Sequence, residues 1–236
     1  MTGKRIVWVL GLCAISLAGW AQDTKKVYRP DFPGSFNVEL GVNQAQSPPT
    51  NFKKGFWGSR TVNVYYQYPI RIRNSSFTFV PSAGMSFERF KLVNNYTLSP
   101  ADSAGAYPLV SALNFHSGIK KSMIVTNYFE VPLEIKYYAK PNNPKRSFWI
   151  AAGVRGGVLL HSLTKIRYRE NGQTKVDKDI QRHGINPFRY GVSLRMGVGG
   201  FSWYGYYNLS PYFKSGEGPR NANMTTWTVG ISINSF

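Results

Sequence analysis

Residues 128–138 read Tyr128-Phe129-Glu130-Val131-Pro132-Leu133-Glu134-Ile135-Lys136-Tyr137-Tyr138, and residues 148–160 read Phe148-Trp149-Ile150-Ala151-Ala152-Gly153-Val154-Arg155-Gly156-Gly157-Val158-Leu159-Leu160. The turn Lys140-Pro141-Asn142-Asn143-Pro144-Lys145 lies between them. In the first half Phe129, Val131, Leu133, Ile135 and Tyr137 share one phase, against Glu130, Pro132, Glu134 and Lys136. In the second half Phe148, Ile150, Ala152, Val154 and Val158 alternate with Trp149, Ala151, Gly153, Arg155 and Gly157. Period-2 alternation over about ten residues is the mark of a strand, because successive side chains point to opposite faces. The long apolar, aromatic phase and the charged second phase do not suit a soluble hairpin, where one face packs on a core and the other meets water. A membrane barrel accounts for both: the apolar phase meets lipid and the charged phase lines a closed interior.

The same pattern recurs on either side. Strands are expected over 35–44, 60–73, 77–92, 128–138, 148–160 with an extension to 168, 188–198, 201–213 and 225–236. The connections after the second, fourth and sixth strands are short, and those after the first, third, fifth and seventh are long. An even-stranded barrel entering from the periplasm needs that sorting, with short inner turns and long outer loops. The reading is all-β: an eight-stranded antiparallel transmembrane barrel, an up-and-down meander. Ten strands result if the weak alternation at 109–115, inside the long loop 93–121, also pairs.

The ends and the composition fit an exported chain. Lys4 and Arg5 precede an apolar run at 6–20, closed by Gly19-Trp20-Ala21, which reads as a cleaved signal peptide over 1–21. At ~15 residues the run is shorter than the ~20 that span a bilayer. Cys13, the single cysteine, lies inside it after Leu12, where lipidation would need a small residue. Cleavage would leave no thiol, which excludes disulfides and cysteine chemistry. Residues 22–34 read as a periplasmic lead-in and 35–236 as the barrel domain. The formal net charge is +18. Export and the dispersal of the basic residues along the chain argue against nucleic acid. Tyr and Phe number 15 each, and tyrosine suits a membrane interface, with its ring buried and its hydroxyl wet.

Nine charged residues fall on polar phases: Glu39, Arg71, Glu88, Glu130, Glu134, Lys136, Arg155, Arg189 and Arg195. Side chains fill an eight-stranded barrel, and a buried charge must be paired. An interior acid–base network is therefore expected, centred on Glu130 and Glu134 with Arg155 and Arg195, acting as a plug in preference to a gated path. Catalysis is not expected. His116, His161 and His183 are the candidates, with His161 in the inward phase of Arg155, but no Gly-x-Ser-x-Gly or paired-His motif accompanies them. No metal-ligand spacing and no cofactor motif is present. Lys53, Lys54, Lys120, Lys121, Arg167, Arg169, Lys175, Lys178 and Arg182 lie in or near the long loops and are expected to attract outer-membrane lipid and lipopolysaccharide. The loop 93–121 is the candidate surface for another envelope protein.

The segment Phe129–Tyr138, the strand Ile150-Ala151-Ala152-Gly153-Val154 with Gly156 and Gly157, and Tyr206-Tyr207-Asn208-Leu209-Ser210-Pro211 together resemble the PorT-like outer-membrane β-barrel proteins of Bacteroidetes. The resemblance covers essentially the whole chain after residue 21. It implies a bacterial outer-membrane location and insertion by the barrel assembly machinery, with Phe236 as the C-terminal signal. It also implies an alternative role, as a transport or protein-secretion accessory like the founding member of that group.

Overall fold

The structure, a computed structural model, describes residues 34–73, 75–219 and 223–234. The segments read as leader and lead-in, apart from Gly34, and the terminal Phe236 lie outside the described residues. In chain order the strands are β1 (Ser35–Gln46), β2 (Arg60–Gln67), β3 (Ile70–Arg71), β4 (Phe77–Leu92), β5 (Tyr96–Leu98), β6 (Leu109–Ser111), β7 (Ile119–Tyr138), β8 (Phe148–Glu170), β9 (Gln173–Asp179), β10 (Phe188–Val198), β11 (Phe201–Asn208) and β12 (Thr225–Asn234).

Eight of these, β1, β2, β4, β7, β8, β10, β11 and β12, form an antiparallel ring in chain order. The seam is β1 against β12, with Val38 opposite Ile233, Leu40 opposite Ile231 and Val42 opposite Val229. Closure matters physically. An open edge would present unpaired N–H and C=O groups to hydrocarbon, where no water can satisfy them.

The outer wall is the apolar phase. Phe36, Val38 and Leu40 on β1, Phe129 to Tyr137 on β7, and Val192 to Val198 on β10 are exposed at every second residue. On β4 this phase runs from Phe77 to Phe87. Ten steps of ~3.4 Å, on a strand tilted by roughly 40°, cover about 26 Å, matching the ~25 Å apolar band of membrane barrels. None of the helices among the described residues is long and apolar enough to cross a membrane, so crossing falls to the strands.

Several expectations need correction. The two-strand sheet of β5 and β6 stands apart from the ring, so pairing within 109–115 does not make ten barrel strands. β7 starts at Ile119, inside the segment read as loop. Its upper part faces an apolar interior, which breaks the polar–apolar alternation. The connection between the fifth and sixth expected strands contains β9, which folds back on β8. The second strand ends at Gln67, since Pro69 has no N–H to donate and only the two-residue β3 resumes the pairing. The seventh strand ends at Asn208.

A bulge between β7 and β8 corrects one candidate residue. Tyr128 pairs with Leu159 but Asn127 pairs with His161, so Leu160 is extra and the phase inverts above it. Ser162, Thr164 and Ile166 turn inward. His161 takes the outer phase, not the inward phase of Arg155.

Candidate functional site

The interior charges form two clusters joined by Tyr65, with a third, Arg195 and Glu134, beside them. In one, Arg155 donates from Nη1 and Nη2 to the two oxygens of Glu39, each at 2.9 Å, a forked pairing. Asn63 donates to Glu39 at 2.9 Å and Asn37 at 3.3 Å. In the other, Arg189 donates to Glu130 at 2.6 Å, Glu88 at 2.7 Å and the Ser86 hydroxyl at 2.7 Å. Tyr65 joins them. Its hydroxyl donates to Glu130 and accepts from Arg155 at 3.2 Å. Towards the periplasmic end Glu134 accepts from Arg195 Nε at 2.9 Å, from Arg195 Nη2, and from Ser193 at 3.1 Å. Arg155 lies 3.8 Å from the same carboxylate.

Seven of the nine sequence-selected residues are thus brought together: Glu39, Glu88, Glu130, Glu134, Arg155, Arg189 and Arg195. Lys136 is buried, but its ammonium sits 3.5 Å from the centre of the Trp149 ring, a cation–π contact. Arg71 is the exception. It pairs opposite Thr78 on the two-residue strand after Pro69 and is exposed. At the barrel's end it meets solvent and stays outside the network.

Inner glycines make the room. A Cβ on Gly157 would come within 2.9 Å of Glu130 Cγ and 3.3 Å of Arg189 Cγ. A Cβ on Gly41 would overlap the Tyr204 hydroxyl. At these two positions the missing Cβ leaves the space that Glu130, Arg189 and Tyr204 occupy.

Above the charged layer lies an apolar one. Phe90 and Leu92 of β4, Ile124 and Tyr128 of β7 and Leu159 of β8 point inward. Phe52, Leu98, Ile185, Tyr212, Phe213 and Met224, drawn from all four long connections, pack down on them. Sequence reasoning missed this cap because its members are scattered singly through loops. It also passed over Tyr65, visible in the polar phase of β2 but uncharged.

Two of the histidines, His116 and His183, serve the extracellular connections. His116 stacks on Tyr168 at 3.8 Å and lies 2.9 Å from Asp177. The buried His183 donates from Nδ1 to the Gln181 carbonyl at 2.9 Å and lies 3.1 Å from Asp179. Among the described residues no group of His, Cys, Asp and Glu could hold a metal ion.

A family model described as "Outer membrane protein beta-barrel domain" matches residues 20–214. The chain belongs to that family. Among solved structures it is similar to Ail, the attachment invasion locus protein of Yersinia pestis, at 13% identity and TM-score 0.35, covering 86% of this chain and 97% of that one. It is also similar to Neisserial surface protein A, at 11% identity and TM-score 0.37, covering 86% and 96%. No curated protein matches the chain. The family and the closed ring place the protein in the bacterial outer membrane.

Proposed function

We propose that this outer-membrane barrel is a non-conducting, non-enzymatic protein whose role is structural or interactive and is exercised through its extracellular loops. The filled interior is the observation that carries the reading. Arg and Glu side chains bridge the lumen at membrane depth, and apolar side chains from all four long connections close it above. On this reading no aqueous path runs through the described residues, and what the protein does falls to its outside. The contacts proposed are outer-leaflet lipid and lipopolysaccharide, drawn by the basic residues, and another envelope protein at 93–121. Insertion by the barrel assembly machinery, with Phe236 as its signal, belongs to the same proposal.

Planar-bilayer recording tests it. The purified barrel is expected to give no steady single-channel steps; regular steps of one conductance would replace the plug with a pore. A second reading, a secretion accessory of the PorT-like kind in Bacteroidetes, is favoured by Phe129–Tyr138 and Tyr206–Pro211. Loss of secreted proteins from a strain lacking the gene would move the assignment to that reading.

A further inference from the structure

The basic residues that look dispersed along the chain are gathered by the strand register. Arg60 on β2 lies directly opposite Arg89 on β4. Lys121 on β7 lies directly opposite Arg167 on β8. Between these pairs Met123 has Lys91 on one side and Lys165 on the other. All six cations take the outward phase, since Thr61, Glu88, Phe90, Leu92, Ser122, Thr164 and Ile166 beside them are buried. Met123 also faces outward yet is only 6% exposed, as expected where long basic stems lie over a thioether.

Like charges directly opposite on a sheet are destabilising, and here two such pairs lie either side of the row Lys91, Met123 and Lys165. Lys91, Arg167, Arg89 and Arg60 all repel the Lys121 ammonium. None of the six makes an ion pair among the described residues. The described carboxylates are engaged elsewhere: four with interior arginines, Asp177 and Asp179 with histidines, Glu170 and Glu217 with Lys175 and Lys214, and Asp102 with its own turn. Among the described residues no carboxylate is left to compensate the patch.

The height of the patch says which anion. Beneath Met123 and Lys165 the outer wall carries Val125 opposite Leu163, then Asn127 opposite His161 and beside Phe87, and the exposed apolar band follows at Phe129 and Val158. The patch therefore stands at headgroup level on the lipid-facing wall, on the side of the long loops. We propose that Arg60, Arg89, Lys91, Lys121, Lys165 and Arg167 form a binding site for the phosphate groups of a phosphorylated glycolipid in the outer leaflet. Guanidinium forks pair with phosphate oxygens, and the lysines add point charges. This rests on the outer-leaflet contact proposed above and assigns it to one wall.

The test uses the full folded chain in zwitterionic detergent, titrated with diphosphorylated lipid A and with its dephosphorylated form, with bound lipid read by native mass spectrometry. Wild type should prefer the phosphorylated form. Arg89→Gln/Lys91→Gln/Arg167→Gln should weaken that binding by about 100-fold, at roughly fivefold per cation removed. A charge-matched control, Lys53→Gln/Lys175→Gln/Arg182→Gln, should stay within about threefold of wild type on the same scale. Both triples change exposed or half-exposed side chains, and an unchanged gel shift on boiling verifies their fold. Equal weakening by the two triples would overturn the site and leave a diffuse attraction to lipopolysaccharide. No preference for phosphate in wild type would remove that attraction as well. Inorganic phosphate displacing the lipid at equal concentration would show a free-anion site and overturn the lipid assignment.

Discussion

Arg155 occupies the centre of the barrel, 2% exposed, with a forked pair to Glu39, a contact to Tyr65 and a longer approach to Glu134. Removing one member of such a buried set leaves its partner's charge uncompensated, at about 3–5 kcal/mol. Arg155→Met is therefore expected to lower unfolding stability by about that amount, and Glu39→Gln by a comparable one. The double variant should lose much less than the sum, because neither charge then remains to be stranded. Urea unfolding of the four proteins in a bilayer checks this; strict additivity would mean the pair contributes nothing as a unit. Arg189, bonded to Glu130, Glu88 and Ser86 and lying 3.9 Å from the Tyr128 ring centre, marks the boundary with the apolar cap. Polar phase alone told which residues face inward. It could not tell which carboxylate each arginine takes, since that depends on how far strands distant in sequence lean across the lumen.

At the level of elements, legibility follows the bilayer. Within the membrane band, lipid on one side and a polar lumen on the other enforce alternation. There β4 and β10 carry the boundaries read from the sequence, 77–92 and 188–198. Above the band that constraint lapses. Ser122, Met123 and Ile124 are three consecutive buried residues on β7, one covered by basic stems and two facing inward, so the strand's first nine residues were not read as strand. The basic wall was hidden for a related reason: its members stand singly or two apart on each strand and meet only across register. The long loop at 93–121 is likewise more than a tether. Leu98 is 2% exposed in the apolar cap, and Leu109 of its partner strand packs against the same cluster. Leu98→Ala is expected to cost about 2–5 kcal/mol and to open the loop to protease, while the ring below keeps its fold. Limited proteolysis followed by mass spectrometry reads this directly. Cleavage no faster than in wild type would mean the loop is held by its hydrogen bonds and not by the cap. Deleting 95–117 outright would remove Leu98 and Leu109 together, so loss of a partner after that deletion would not by itself locate the contact.

At the scale of the whole molecule, closure and filling act together. The seam between β1 and β12 runs through ten residue pairs, from Asn37 opposite Asn234 to Gln46 opposite Thr225. Asn37 and Ser232 bond across it inside, at 2.5 Å, as do Asn43 and Thr228, at 3.0 Å. Asn37 in turn donates to Glu39, and Glu39 is held by Arg155 on the far side of the lumen. Parting the seam thus breaks a row of backbone bonds, strands buried charges, and exposes strand edges that hydrocarbon or detergent tails cannot satisfy. Such a structure has no low-cost partly open state and should be kinetically stable. Outer-membrane fractions left unboiled in dodecyl sulfate should therefore give a compact, fast-migrating form that converts to the full-length position only on boiling. The Arg155→Met variant should convert at a lower temperature than wild type, because it weakens the interior that the seam is tied to. Recovery of the wild type in the soluble periplasm, with one position at every temperature, would remove the membrane from the argument. The outward apolar band would then have to be covered by something other than lipid.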